Sequence, residues 1–322
     1  MREEFLRAMQ AVDPAKPAPW EAYTAVIDST ARIENYAWMT PVPGLQQWQG
    51  HRRLGNINSI KYSIENIEYD ASFEVLNRDV EDDQVGGYKL KPQDLARKAQ
   101  LFPGRKVLQT LAAGTSTLCF DGQYFFDTDH AIGTGPATYP AEWSAYTPGG
   151  SQNDLTFTGS GAAQNQVLCL LVHSGPLKPL VWQTRKPPQF QTDAGTPAAI
   201  KAKKSAYWID MEGAGGYGFW WDAIYVSITN TPTLTEVQAL LGGLRTQFRK
   251  FSLPKAISSD TAERPHEQTE FSAATCTVVG STGLENLVRV VLESETIVQS
   301  GAAVTNVYKG MAKQVTTAFL DP

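Results

Sequence analysis

The decapeptide DGQYFFDTDH, residues 121–130, brings three carboxylates, one histidine and three aromatic side chains together. Carboxylates and imidazoles bind metal ions and act as general acids or bases, so this composition is typical of a metal centre or an acid–base site. On a strand, however, Asp127 and Asp129 share one face, while His130 lies on the other. The three side chains can therefore bind one ion only if a turn separates them.

The remaining histidines do not complete a metal site. His51, His173 and His266 stand alone in unrelated contexts, whereas metal sites generally need three or four protein ligands. We therefore interpret residues 121–130 as a strand that ends in a polar turn, with the aromatic side chains packed and an aspartate bonded to nearby backbone amides. No metal ion is predicted.

A second candidate is the run Gly213–Gly218, GAGGYG, which matches the pattern G-x-G-x-x-G. It follows a plausible strand at Tyr207–Met211, and Glu236 stands where a dinucleotide-binding fingerprint has its acidic residue, as in a nucleotide-dependent oxidoreductase. The helix that should follow must pack closely on a sheet, yet the next residues are the bulky Phe219–Trp221. We therefore favour a glycine-rich turn between aromatic-rich segments and keep the oxidoreductase as an alternative.

Other chemical motifs are missing from the sequence. It contains no G-x-S-x-G nucleophile motif and no Walker-type phosphate loop. The basic clusters His51–Arg53 and Lys201–Lys204 are small, and such clusters are usually solvated or paired with the carboxylates of a neighbour. The acidic Glu81–Asp83 can face such a cluster or the positive end of a helix. We predict neither an enzyme nor a cofactor site.

The composition indicates an ordered globular chain, with 322 residues of which 42% are hydrophobic and 19% charged. Its 28 basic and 33 acidic residues give a net charge of −5, which excludes a dedicated nucleic-acid binder. The three cysteines, Cys119, Cys169 and Cys276, lack C-x-x-C spacing and suit a reducing compartment. We predict no signal peptide and no membrane span, because the longest purely apolar run is Val167–Val172.

The N-terminal part of the chain is predicted to form extensions rather than a domain. A short helical pattern at Phe5–Met9 precedes the proline-rich stretch Asp13–Pro19 and an aromatic-rich segment with weak periodicity. From Tyr62 to Val75 apolar and polar residues alternate, with a change of phase at Glu65–Asn66. This pattern indicates two strands joined by a tight turn or one long bulged strand. Because each exposed large apolar side chain forgoes roughly 1.5–3 kcal/mol of burial, we expect neighbouring copies to cover these extensions.

The remainder of the chain mixes helices and strands without regular alternation, which favours an α+β fold. A long helix from about Pro92 to Gly114 is predicted to be kinked or broken at Pro103–Gly104, and a long loop follows at Ala131–Gly161. The other predicted elements are strands at Val167–Val172 and Leu177–Thr184, a strand signal across Tyr207–Ile228, a helix opened by Thr233 or Thr235, a helix near Leu284–Leu292 and a final strand near Thr305–Phe319.

The order of several short segments resembles the family of Mu-like phage major head proteins, the capsid subunits called gpT. The segments that carry the resemblance are, in chain order, WQGHRR before the alternating stretch, VEDDQVGGY before the long helix, CFDGQYFFDTDH, LKPLVWQTRKPPQF, GYGFWWDA before a helix, and YKGMA before the last strand. Together they extend over the chain from about Trp20 to Leu320. Each segment is weak alone, but the set in this order is specific.

The resemblance implies the Hong Kong 97-type capsid fold. On this chain the N-terminal arm would be residues 1–39, the extended ribbon called the E-loop 40–80, and the peripheral domain 81–230, with a spine helix at 90–114 and an inserted loop at 131–161. The axial domain would be 231–302, and 303–322 would return to the peripheral domain as its last strand. The tip of the ribbon would fall near Glu65–Asn66 or near Gly50–Asn56.

The function implied by the resemblance is that of a major capsid protein of a tailed bacteriophage or prophage, located in the virion capsid and assembled in the host bacterial cytoplasm. It would form hexamers and pentamers of an icosahedral shell around double-stranded DNA contacted non-specifically, with separate scaffolding, portal and decoration proteins. A cellular nanocompartment shell is a further alternative. The residues expected at contacts between subunits are Trp20, Trp38, Trp48, Arg52, Arg53, Tyr62, Ile64, Tyr69 and Phe73.

Overall fold

The computed structural model describes residues 2–10, 18–36, 48, 50, 62–82, 87–130, 152–175, 177–251, 264–299 and 302–322. The helices of these ranges are α1 (Arg2–Gln10), α2 (Asn77–Glu81), α3 (Leu90–Ala112), α4 (Pro197–Ala202), α5 (Leu234–Lys250) and α6 (Glu285–Glu293). The strands are β1 (Thr24–Asp28), β2 (Ile33–Asn35), β3 (Ser63–Glu65), β4 (Ile67–Leu76), β5 (Asp154–Thr158), β6 (Gln166–Val172), β7 (Leu180–Thr192), β8 (Lys204–Tyr217), β9 (Ala223–Thr229), β10 (Cys276–Gly280), β11 (Thr296–Gln299), β12 (Ala302–Thr305) and β13 (Lys313–Thr316).

The first sheet has the strand order β1-β7-β8-β4. The long strand β8 pairs antiparallel with the whole of β4 on one side and with β7 on the other, and β1 runs parallel to β7. The register of β7 shifts between Thr184 and Gln189, around Pro187 and Pro188. Because proline has no backbone N–H to donate to the ladder, an irregularity is expected at this point of the strand.

Helix α3 lies against one face of the first sheet. Tyr69 of β4 packs edge-on against Phe102 of the helix, with ring centroids 4.6 Å apart. Toward the end of the helix, the Tyr217 hydroxyl of β8 donates to the Thr110 carbonyl at 2.7 Å. The helix is therefore fastened to both β4 and β8.

The sequence around Pro103–Gly104 does not break helix α3, which continues through Pro103. Gly104 has a packing role instead, because a Cβ at that position would lie 2.5 Å from Cδ1 of Trp20. The glycine thus lets the Trp20 ring, in a 3₁₀ turn at Pro19–Ala22, lie directly on the helix. Trp20 is half-buried by its own chain at this contact.

The second sheet has the strand order β13-β10-β6-β9-β5. All seven residues of its central strand β6 are buried, which explains why that part of the sequence is an apolar run rather than an alternating pattern. Helices α5 and α6 join the same hydrophobic core through their apolar faces. β5 pairs parallel with β9 at the edge, so the end of the loop predicted at 131–161 is a strand, while residues 131–151 lie outside the described part.

Helix α5 begins as the sequence predicts. Thr233 caps the helix by accepting from the Glu236 amide, and the Glu236 carboxylate accepts from the Thr233 amide at 2.7 Å. This reciprocal arrangement is the capping box, which satisfies backbone donors that have no partner within the helix. Of the two candidate threonines, Thr233 is therefore the cap.

The prediction of one final strand near Thr305–Phe319 is wrong. The chain forms β12, which pairs with β11, and then β13, which runs parallel to β10 in the second sheet. Between them the Asn306 side chain donates to the carbonyls of Val291 and Ser294, at 2.7 and 2.9 Å, and fixes the turn to the end of α6. The domain limits at 230 and 302 stay predictions, and strands from both sides of each limit share the second sheet.

Candidate assembly surface

The strands that flank residues 37–61 in the chain, β2 and β3, form a two-stranded base. β2 and β3 pair antiparallel, and the Tyr36 amide donates to the Tyr62 carbonyl at 2.7 Å. The chain therefore enters and leaves this segment at neighbouring points. Within the segment, the structure describes Trp48 and Gly50 alone.

The alternating stretch Tyr62–Val75 does not form a hairpin. β3 pairs with β2, whereas β4 pairs with β8 in the first sheet. Asn66 stands between the two strands, so Glu65–Asn66 is the point where the chain passes from one sheet to the other and is not the tip of a ribbon. The sequence pattern gave the two strands but could not give their partners, because alternation reports only that one face of a strand is buried.

A buried polar network holds this base on the first sheet. The Gln183 amide of β7 donates to the Ile64 carbonyl at 3.1 Å and to Asn66 Oδ1 at 2.8 Å, and it accepts from the Tyr36 hydroxyl at 2.6 Å. The Asn66 amide donates in turn to Ser29 Oγ at 2.7 Å. Networks of this kind rigidify their surroundings when every member is satisfied. Sequence analysis missed this set, although a glutamine inside the apolar run LVWQT was a signal for it.

Glu34 closes the turn next to the network. Its Oε1 accepts from the amides of Thr30 and Ala31, at 2.8 and 3.0 Å, and from Ser29 Oγ at 3.0 Å. The hydrogen bonds from the Ala31 and Thr30 amides, and then that from Ser29, lower the pKa of the Glu34 carboxyl. The ionised carboxylate is thus the form that ties β2 to the preceding turn.

The residues predicted at contacts between subunits divide into three groups. Trp38, Arg52 and Arg53 lie outside the described residues. Trp48 is 66% exposed. Each of the others already packs against its own chain, namely Trp20, Tyr62, Ile64, Tyr69 and Phe73. Contact of any of them with another subunit stays a prediction.

The aromatic members of the last group have specific partners within the chain. The Tyr62 hydroxyl accepts from the Tyr217 amide at 3.0 Å, and burial raises the pKa of Tyr62. The Phe73 ring stacks on Tyr207 with centroids 5.2 Å apart. Lys106 Nζ lies 5.1 Å from the centre of the Tyr69 ring, a cation–π contact. The subunit itself therefore covers much of the apolar surface of β3 and β4.

Residues 121–130 form an irregular, turn-rich segment rather than the predicted strand, with a single bridge between Leu118 and Tyr124. Asp121 and His130 are buried and close together, with Oδ2 and Nδ1 2.8 Å apart. The His130 ring stacks on Trp220, with centroids 4.2 Å apart. The sequence analysis considered Asp127 and Asp129 as the partners of the histidine. The carboxylate that contacts His130 is instead that of Asp121, the first of the ten residues.

A second buried Asp–His pair lies at Trp221, whose ring packs edge-on against Trp220 with centroids 5.2 Å apart. His266 Nε2 is 3.0 Å from Asp222 Oδ1 and 2.9 Å from the Trp221 carbonyl. Desolvation by burial raises the pKa of Asp222, and the hydrogen bond from His266 offsets this only in part. Desolvation acts on Asp121 as well, yet the charge of His130 and the hydrogen bonds from His130, Cys119 and Gln123 lower the pKa of Asp121 overall.

These two pairs do not make an active site. All four side chains are buried, so no substrate can reach them. Among the described residues, no group of three or more His, Cys, Asp or Glu side chains is placed to hold a metal ion. Burial also raises the pKa of the Cys119 and Cys169 thiols, which keeps them protonated and unreactive. The pairs instead hold the segment 121–130 and the turn at 264–270 against Trp220 and Trp221.

The run Gly213–Gly218 is not the predicted glycine-rich turn. It continues strand β8 to Tyr217 and is followed by a 3₁₀ turn and β9, with no helix at the position a dinucleotide fingerprint requires. A Cβ at Gly215 would lie 2.4 Å from Thr110 Oγ1, and one at Gly218 would lie 2.1 Å from the Lys178 carbonyl oxygen. The glycines are needed because helix α3 and the start of β7 approach this strand so closely.

The two basic clusters have different positions. His51–Arg53 lies outside the described residues. Lys201–Lys204 spans the end of α4 and the start of β8, where Lys204 Nζ lies 2.6 Å from Glu74 Oε1. In the part of the chain that the structure describes, no helix is long and apolar enough to cross a membrane.

This chain is similar to known proteins along nearly its whole length. The model of the family described as Mu-like prophage major head subunit gpT matches residues 1–320. The Mu-like prophage FluMu major head subunit of Haemophilus influenzae is 31% identical over 300 residues, which cover 92% of this chain and 88% of that protein. The major capsid protein of Escherichia phage Mu is 24% identical over 306 residues, which cover 94% and 92% respectively.

Solved capsid structures share the fold. The capsid of bacteriophage JBD30 aligns with a TM-score of 0.71 and 21% identity, over 95% of this chain and 91% of that one. The JBD30 procapsid aligns with a TM-score of 0.68 and 24% identity, over 99% and 97%. The predicted α+β capsid fold of the Hong Kong 97 type is therefore confirmed.

Proposed function

This chain belongs to the family of Mu-like prophage major head subunits, the gpT family, and we propose that it assembles as hexamers and pentamers into an icosahedral shell. The members of this family are structural capsid proteins and not enzymes. The protein is accordingly a component of the virion capsid, the major head protein of a Mu-like phage. We infer that assembly takes place in the cytoplasm of the host bacterium.

The observation that carries this function is the match to the gpT family model over residues 1–320, together with the capsid fold of the chain. The described part contains no chemical site that would need another explanation. The base at β2–β3 supports the same conclusion. It is fastened to the first sheet by buried hydrogen bonds, while Trp48 in the segment that it carries is largely exposed. Exposed aromatic side chains on a segment with an anchored base suit contacts with other copies.

The charge of the chain and its relatives support the partners that we propose for the shell. The net charge of −5 suits a wall that encloses double-stranded DNA without reading its sequence, because a dedicated nucleic-acid binder would be basic. A JBD30 capsid of similar fold is decorated with trimers of a minor capsid protein, which supports a decoration protein here. We also propose separate scaffolding and portal proteins.

Electron microscopy of the protein expressed with its scaffold tests this function. We expect closed shells, or hexamer and pentamer fragments. In shells from infected or induced cells, DNA should resist added nuclease until the shells are opened. Shells filled with an enzyme instead of DNA would indicate the nanocompartment alternative. A compact monomer that binds NAD(H), seen as energy transfer from tryptophan, would support the oxidoreductase and remove the capsid function.

A further inference from the structure

A pocket of about 530 Å³ lies at one end of the second sheet, beside the start of α6. Its first wall is formed by residues 164–166, where β6 begins, and its second by the turn at 281–283 between β10 and α6. Asp321 and Pro322 form the third wall. The pocket shares no residue with the β2–β3 base or with either buried Asp–His pair.

Hydrogen bonds within the chain fix the second wall of the pocket. The Ser281 amide donates to the Val167 carbonyl at 2.9 Å, and the Ser281 hydroxyl accepts from the Val167 amide at 3.2 Å. The Asp321 carboxylate accepts from the Thr282 amide and hydroxyl, at 2.7 and 2.8 Å. The turn and the third wall are therefore held together, and the pocket exists in the isolated subunit.

Gln166 differs from the other polar residues of the pocket because its side chain lacks partners. It is 3% exposed, and neither its Oε1 nor its Nε2 forms a hydrogen bond with a described residue. The amide lies against Gly283, where a Cβ would be 2.6 Å from Gln166 Nε2. A buried amide without partners is unfavourable, because it has lost its hydrogen bonds to water. Gln166 therefore offers a ligand both a donor and an acceptor.

The side chain of Gln164 controls access to the Gln166 amide. Its Nε2 would lie 3.4 Å from the same Cβ position on Gly283, so the two glutamine amides are neighbours there. Gln164 is exposed, and its Oε1 accepts from the Thr231 hydroxyl at 3.3 Å, which is long for such a hydrogen bond. The side chain can therefore swing toward solvent and leave its place to a polar group of a ligand.

The charge of the pocket restricts the ligands that it can take. Of the described residues that line it, Asp321 alone carries a charged side chain. A phosphate or a carboxylate would be repelled by that charge and would find no cation in the lining. A peptide group is neutral and carries one N–H donor and one C=O acceptor, which match the two polar ends of the Gln166 amide.

The polar lining also indicates the kind of partner. Apart from Gly283 and Pro322, every residue of the pocket has a polar side chain. Interfaces between permanently associated subunits are more apolar than this. A protein that folds alone and joins a finished shell has to keep its contact surface soluble, so polar contacts of this kind suit it better.

We propose that this pocket binds an extended peptide segment of an accessory protein that decorates the shell. The Gln166 amide accepts from a peptide N–H of that segment and donates to a peptide C=O, so it recognises backbone rather than side chains. The segment carries no carboxylate next to Asp321. The amide that lacks partners in the subunit gains them when the accessory protein binds. This inference rests on the proposed shell function.

Replacement of the Gln166 amide tests the site. Gln166→Leu removes both polar atoms at similar size, so subunits should unfold at the same or a higher denaturant concentration and should still form shells. Accessory protein released from wild-type shells should rebind stripped Gln166→Leu shells with roughly tenfold or more weaker affinity, because two hydrogen bonds are lost. Rebinding with wild-type affinity would overturn the proposal.

Gln238 of α5 provides the matched control. It is buried, its Nε2 also forms no hydrogen bond with a described residue, and it does not line the pocket. Gln238→Leu shells should rebind the accessory protein with wild-type affinity. Equal weakening in the two variants would show that any loss of a buried amide from this part of the subunit has the same effect, and would overturn the site.

A photoreactive benzophenone side chain at Asn165 identifies the occupant of the pocket. Asn165 is exposed in the first wall. Irradiation of purified shells from induced cells should link the subunit to the same accessory protein, whereas the benzophenone at Glu293, at the other end of α6, should not. Links between two subunits alone, no link, or wild-type shells without any accessory protein would overturn this inference. Failure of the wild-type protein to form any shell would overturn the proposed function instead.

Discussion

Ile64 of β3 packs onto Gly216 of β8 so closely that a Cβ on the glycine would lie 2.2 Å from Ile64 Cδ1. Ile64 is itself buried, against Val181 and Ala214 of the first sheet. The β2–β3 base therefore packs where strand β8 has no side chain. This contact connects the glycine-rich sequence of β8 to the position of β3.

Gly216→Ala should destabilise the subunit by about 1–3 kcal/mol, because the added methyl group has to displace a buried side chain. Denaturant unfolding of unassembled subunits measures this change. Ile64→Val removes Cδ1, so adding it to Gly216→Ala should cost less than the sum of the two single changes. Simple additivity would show that Ile64 and Gly216 do not form the contact described here.

Gly243→Ala in helix α5 provides the matched control for that substitution. A Cβ there meets no atom within 4 Å, and alanine is the better helix former. We expect stabilisation of roughly 0.5–1 kcal/mol in the same unfolding experiment.

The two buried Asp–His pairs should respond differently to removal of the carboxylate charge. The pKa of Asp121 is lowered in the folded protein, so its ionised form contributes stability above the unfolded pKa of about 3.9 and loses it as the pH falls through the lower folded value. Asp121→Asn should therefore destabilise the subunit near pH 7, by about 1–3 kcal/mol. The difference from the wild type should shrink below about pH 3.9.

The pKa shift of Asp222 has the opposite sign, so its effect on stability changes with pH in the opposite direction. Its folded pKa is raised by burial, so its contribution is present below the unfolded pKa and is lost as the pH rises through the folded value. Asp222→Asn retains an oxygen that can accept from His266 and should leave stability near pH 7 unchanged or higher. Unfolding midpoints of both variants across the pH range check this contrast, and a larger loss for Asp222→Asn than for Asp121→Asn would contradict it.

The thiols of the folded protein should not react. Cys119, Cys169 and Cys276 are buried, and burial raises the pKa of each. Thiol reagents at pH 8 should label none of them in native subunits and all three after unfolding in denaturant. Mass spectrometry counts the labels, and rapid labelling of native protein would show that the core around β6 and β10 opens readily.

A substitution at Trp48 can separate an effect on assembly from an effect on the folding of the subunit. It is 66% exposed, so Trp48→Ser should leave subunit stability nearly unchanged and reduce shell formation. Phe73, which is also expected at a contact between subunits, cannot serve this purpose, because it is half-buried and stacks on Tyr207 within the chain, so a charged residue there would disturb folding itself. Normal shell formation by Trp48→Ser would remove Trp48 from the contacts between subunits.

Much of the architecture follows from local patterns in the sequence. Three elements were predicted because the pattern that determines each of them lies within one short stretch of sequence. They are the continuous apolar run of β6, the capping box of α5 and the helical spacing of α3. Family resemblance then gave the capsid fold, which no periodicity could have given.

The errors arise where distant residues decide the local structure. The glycine-rich run 213–218 was predicted to be a turn, but Gly213, Gly215 and Gly216 lie in strand β8 and Gly218 directly follows it. Glycine is required there because Thr110, Ile64 and Lys178 approach the backbone from elsewhere in the chain. Asp121 contacts His130 because the turns between them bring the two residues together. The geometry of a strand does not predict such a contact. The network around Gln183 joins residues more than one hundred positions apart, and a single sequence does not show such pairs.

Sedimentation of the purified chain with its scaffold tests the central claim most directly, since the claim is that this protein functions as the repeating subunit of a closed shell. We predict that most of the protein moves into a fast boundary, and that micrographs of that fraction show closed particles of uniform size. A single slow boundary of folded monomer under the same conditions, at every protein concentration tested, would contradict the assignment.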